Sequence, residues 1–154
     1  MDYTIIASAI VTTLTPYLSK TGEKIAEKIG EELFPKIKSI FISNDEDKKV
    51  LEKLELQPTV QNITTFENDL AVKIENNPDI ARSLSEILKL TPTKSNKIEN
   101  ILTSSKELKE DLKYLYSEYN QAGESTQGDY KNRITLQERK LSKLEKEFFL
   151  TIKI

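Results

Sequence analysis

Any covalent or acid–base chemistry in this chain would have to use carboxylates, amines and hydroxyls. Its 154 residues include no His and no Cys. That removes thiolate nucleophiles, imidazole bases, disulfides and the usual zinc ligands together. The densest acidic run is Asp45-Glu46-Asp47, after Ser43-Asn44. It offers oxygen ligands to a hard cation, yet it lacks the ligand spacing of a calcium loop. The same polar break suits a helix N-terminus better, with its acids complementing the positive end of the dipole. Other Asp and Glu pairs have ordinary helix-surface spacing. Ser and Thr hydroxyls have no imidazole partner, and no Ser–Lys dyad is recognisable by spacing. Neither GxxxxGK[ST] nor GxGxxG occurs, so no phosphate cradle is expected. The chain therefore reads as a non-enzyme, with no catalytic residue, cofactor-binding residue, cofactor or metal site assigned.

Aromatic and basic residues form the next cluster. Tyr114, Tyr116 and Tyr119 are followed by Tyr130, Lys131, Arg133, Arg139, Lys140, Lys143 and Lys146. Rings interleaved with bases can bind nucleic acid. Here Glu118, Glu124, Asp129, Glu138, Glu145 and Glu147 interrupt the field, and no nucleic-acid partner is expected. Tyr and Arg also anchor protein interfaces, so the cluster reads as a protein-binding tip. The alternative is rings that simply pack. Charge over the whole chain is nearly balanced, with 23 basic and 25 acidic residues. Basic and acidic residues number five and five over 1–42, six and ten over 43–92, and twelve and ten over 93–154. Interspersed signs of this kind mark solvated helix faces.

Helices must carry these residues. Only 4 Gly and 5 Pro occur, and Leu, Ile, Lys and Glu favour helix. Ile98, Leu102, Ser105, Leu108, Leu112, Leu115 and Tyr119 alternate threes and fours, the signature of one buried helix face. Ile134, Leu141, Leu144 and Phe148 resume a seven-residue rhythm, with Gln137 at an intermediate place. Gly123, Ser125, Thr126 and Gly128 predict a loop over 121–129. Two such helices make an antiparallel hairpin. The residues expected to mediate contact there are Leu108, Leu112, Leu115, Tyr116, Tyr119, Tyr130, Arg133, Leu141 and Leu144, with Leu112 facing Leu141 or Leu144.

The first half is also helical in pattern. Residues 3–18 are apolar but Thr-rich. They read as a buried or partner-packed helix, with a membrane-contacting segment and a strand as the alternatives. Asp2 and the lack of a small-residue cleavage site argue against a signal peptide. From Leu14 to Phe41 the spacing predicts an amphipathic helix. Pro16 would sit in its first turn, and Pro35 would kink or divide it. Gly22, Ala26 and Gly30 recur every four residues and predict a groove where another backbone approaches closely. Further helices are expected near Val50–Leu56 and from Val60 to Ile74. Asn77 should cap a last one, with Pro78 in its first position. Asn62-Ile63-Thr64 matches a glycosylation sequon, but it lies inside a predicted helix and is discounted. The segments make a helical region over 1–90, a connector over 91–95 and a helical hairpin over 96–154.

The stretch from Leu112 through Gln121, its loop, and Asn132 through Glu145 resembles small helical-hairpin adaptor modules of bacterial conflict and signalling systems, the effector-associated type. The block from Pro16 to Leu33 looks like N-terminal segments of uncharacterised bacterial helical proteins. Neither resemblance brings catalytic residues. It implies self-association, or recruitment of an effector by helix-on-helix contacts. The expectation is thus an all-α, non-enzymatic interaction module with a protein partner or a second copy, in the cytoplasm. The second reading is a membrane-associating or pore-related helical protein acting through residues 3–18.

Overall fold

A computed structural model describes residues 2–21 and 24–153. Among them are seven helices and no strand, so the fold is all-α. The chain divides into two compact units, one ending at Ser95 and the other starting at Asn96.

The first unit holds α1 (Tyr3–Ser19), α2 (Lys24–Ile40), α3 (Asp45–Leu56), α4 (Val60–Asn76) and α5 (Pro78–Ile87). Helix α1 packs against α2, α4 and α5, while α3 packs on α4. It is buried over most of its circumference, through Ile6, Ala7, Ala9, Ile10, Val11 and Leu14. Its threonines do not prevent this. The Thr12 and Thr13 hydroxyls donate to the Ser8 and Ala9 carbonyls at 2.8 and 2.9 Å. Their polar atoms are thus satisfied inside the helix that carries them. Residues 3–18 form a helix rather than a strand. No helix among the described residues is long and apolar enough to cross a membrane.

Helix boundaries follow local chemistry. Asn44 caps α3 by accepting from the Asp47 amide at 2.8 Å, and Thr59 caps α4. Asn77 caps α5, with Pro78 in the first turn as its spacing predicts. Asn62, the sequon residue, donates its side-chain amide to the Gln57 carbonyl at 2.9 Å. It thereby ties the start of α4 to the end of α3. The prolines correct the expected boundaries. Pro16 lies in the last turns of α1, not at the start of a helix. The chain leaves that helix at Lys20, a left-handed residue (φ 56°) whose amide donates to the Pro16 and Tyr17 carbonyls. Pro35 does not divide α2, which runs on to Ile40. It sits on the exposed side, where water can serve the carbonyl deprived of its amide.

The second unit holds α6 (Pro92–Gln121) from Asn96 onward, and α7 (Glu124–Lys153). Two expected irregular stretches are helical. Residues 92–95 of the expected connector are helical, since α6 begins at Pro92, a residue suited to the first position of a helix. The loop over 121–129 shrinks to Ala122-Gly123, because α7 begins at Glu124. The polar residues there build a first turn instead. The amides of Thr126 and Gln127 both donate to the Gly123 carbonyl. Gln127 Nε2 also reaches the Tyr119 carbonyl at 3.3 Å. These bonds offset the roughly 1 kcal/mol that Gly128 costs inside a helix.

Candidate functional site

The second unit is where the site residues expected from sequence converge. Leu112, Leu115 and Ile134 form a buried cluster, and Tyr119, Tyr130 and Leu141 pack against it. The three-four stripe of α6 therefore meets the seven-residue rhythm of α7. Leu112 shares its cluster with Leu141, one of its two expected partners. Beside this cluster the Tyr116 hydroxyl donates to the Glu138 carboxylate. A two-residue turn and side-chain contacts of this kind are what the expected antiparallel hairpin requires.

Five of the nine expected contact residues are thus seam. Leu112, Leu115, Tyr119, Tyr130 and Leu141 hold the two helices together and leave little surface for a partner. Leu108 and Leu144 are half-buried and line a groove on the outside of the seam. Tyr116 is exposed, and acceptance of its hydroxyl proton by Glu138 pushes the phenol above its ordinary pKa. Arg133 is exposed. Its guanidinium lies 5.9 Å from the Tyr130 ring centroid and also borders a groove.

Of the residues that carry the open surface, sequence reasoning placed Tyr114 in the aromatic tip but missed Leu136. Tyr114 is 62% and Leu136 is 53% exposed. Both line one groove with Asp111, Leu115, Arg133 and Gln137. The Gln137 Oε1 is buried and accepts no hydrogen bond among the described residues, an arrangement proteins rarely leave unanswered. A second groove runs between Glu107, Leu108 and Asp111 of α6 and Lys140, Lys143 and Leu144 of α7. Leu136 stands off the heptad rhythm of α7. An apolar residue on an otherwise charged helix face was the one available signal.

The small-residue row belongs to the first unit. Gly22 lies outside the described residues. Ala26 and Gly30 are buried on α2. What approaches Gly30 is not a backbone, as expected, but the base of the Tyr17 side chain on α1. A Cβ at Gly30 would stand 2.4 Å from Tyr17 Cγ. The Tyr17 ring in turn lies 5.8 Å from the Phe34 ring. Gly30 is thus a packing point of the core.

The acidic run has a structural partner as well. Asp47 is buried, and its Oδ2 lies 2.6 Å from Lys73 Nζ and accepts from Ser43 Oγ at 3.0 Å. The Lys73 ammonium holds the Asp47 carboxyl below the usual carboxylate pKa, with Ser43 assisting. Lys73 also stands 5.2 Å from the Phe41 ring centroid, and that ring packs on Phe66. Among the described residues, no group of three or more carboxylates is placed to hold a metal ion.

Comparison with known proteins gives no matching family model, no matching curated protein and no matching solved structure. Function therefore has to be argued from the site itself.

Proposed function

We propose that this chain is a non-enzymatic protein-interaction module of the adaptor type, serving a bacterial signalling or conflict system. It acts by docking a helical partner or a second copy against the outer face of α6 and α7. The observation that carries this reading is the pair Tyr114 and Leu136, both more than half exposed beside one groove. A large aromatic and a large aliphatic side chain next to Arg133 make the kind of centre that anchors an interface. Nucleic acid is a poor fit to the same face. Lys140 and Lys143 share their groove with Glu107, Asp111 and Glu147, so no continuous basic track exists for a phosphate backbone.

Leu136→Glu tests the proposal. The position is exposed, so helicity and thermal stability should stay close to those of the natural chain. Cross-linking in extracts of the cells that make it, followed by mass spectrometry, should recover a defined protein with the natural chain. That protein should be lost with Leu136→Glu and should rebind when purified. Equal recovery by both chains would remove this face from consideration as the docking surface.

A further inference from the structure

The two grooves of the second unit share Asp111, so they form one continuous face along the α6–α7 seam. Its floor is apolar, from Leu108 and Leu144 at one end to Tyr114 and Leu136 at the other. Its two lips differ in charge. Glu147 also lines the groove on α7; apart from it, the α6 lip carries Glu107 and Asp111, whereas the α7 lip carries Arg133, Lys140 and Lys143. Among the described residues these five side chains form no ion pair within 4 Å; the ion pairs given by the structure are Lys38–Glu55 and Lys73–Asp47. An acidic lip and a basic lip therefore face outward together, unneutralised, on either side of an apolar strip.

Deepening the proposed function, and resting on it, we infer that the occupant of this face is a second copy of the same chain. The argument is charge complementarity under symmetry. Antiparallel pairing puts Asp111 near the level of Lys140, and Glu107 near that of Lys143. A two-fold axis parallel to the helices preserves these levels. It lays α6 of one copy over α7 of the other, so that acid meets base on both sides and Leu and Tyr meet in the middle. An isologous contact of this kind is self-complementary and closes at two copies. A two-fold axis across the helices would lay acid on acid, and the charge pattern selects against it. The groove from Ser104 to Leu115 spans twelve residues, which is about 18 Å of helix. Two helices of that length offer less than the roughly 800 Å² per partner of a standard interface. The pair should therefore form and dissociate in the micromolar range.

Sedimentation equilibrium of the full chain across the micromolar range tests this with four chains. The natural chain should dimerise. Glu107→Lys with Asp111→Lys makes both lips basic, and Lys140→Glu with Lys143→Glu makes both acidic. Each should weaken self-association at least tenfold while circular dichroism shows the helices intact. Mixing these two variants should restore a dimer, now a heterodimer. Combining all four substitutions in one chain should restore the homodimer. Undiminished self-association of either double variant, or a mixture that stays monomeric, overturns the inference. A natural chain that stays monomeric also overturns it. In that case the Leu136→Glu comparison separates the two claims. Partner capture lost with Leu136→Glu leaves the interaction module standing with a different occupant. Absence of capture by either chain removes both.

Discussion

Substituting Gly30 by Ala should destabilise the chain, against the usual sign for that change in a helix. Gly-to-Ala in a helix interior contributes about 1 kcal/mol of stability through backbone entropy alone. At Gly30 the added Cβ would meet Tyr17 Cγ at 2.4 Å, Cδ2 at 2.6 Å and Cβ at 2.7 Å. Carbon atoms rest at about 3.5–4.0 Å from one another, so Tyr17 would have to retreat by about 1 Å. The clash is with the root of the ring rather than its tip, which leaves rotation little use. The Phe34 ring packs on Tyr17, so the retreat would disturb that contact as well. Overpacking of this kind costs about 1–3 kcal/mol, and the short contacts place it at the upper end. The net expectation is a loss of about 1–2 kcal/mol. Urea unfolding followed by far-ultraviolet circular dichroism would read this as a midpoint lower by about 0.5–1 M, for a slope near 2 kcal/mol/M. Gly128→Ala is the matched control. It also lies inside a helix, and nothing stands within 4 Å of its added Cβ, so it should stabilise by up to about 1 kcal/mol. In a Tyr17→Gly background, Gly30→Ala should become neutral or stabilising, because both the Cβ and the ring that make the clash are gone. A Gly30→Ala chain as stable as the natural one would refute the close approach of α1 to α2. So would a Gly30 loss that persists without Tyr17.

Leu112→Asp should abolish the packing of α6 on α7, since it places a carboxylate in the buried cluster with Leu115 and Ile134; the loss should be at least about 3 kcal/mol. Lys113→Asp, on the exposed neighbour, should change stability by no more than about 0.5 kcal/mol, and thermal melts of the two variants that coincide would show the buried stripe to be misassigned. The Asp47–Lys73 pair makes stability pH-dependent. The folded-state pKa of Asp47 is lowered, so its contribution is fully present above the ordinary carboxylate value and is lost as pH falls through the lower folded value. Asp47→Asn should flatten the acid limb of a stability-against-pH curve measured by urea unfolding, and an unchanged acid limb would mean the pair contributes nothing to folding.

The all-α class and most helix boundaries were legible because they depend on local chemistry. Three-four spacing names the buried face of α6, and the polar break at 43–44 and Asn77-Pro78 supply their own caps wherever the chain goes. The depth of α1 was also foreshadowed, since an apolar segment of that length must be covered by something. Three features were decided by tertiary structure. The residues at 124–129 look like a loop to any local rule, yet they extend α7, because the turn at Gly123 and the bond from Gln127 to Tyr119 join them to α6. Asp47 resembles its neighbours Asp45 and Glu46 in sequence. Only the arrival of Lys73 from α4 separates a buried ion pair from a solvated first turn. The candidate surface was the least legible part. A hydrophobic stripe reveals which side chains seek burial, and those became the seam between α6 and α7. Tyr114 and Leu136 lie off that stripe. Their proximity arises from how two helices align, a property of the pair that neither helix carries alone.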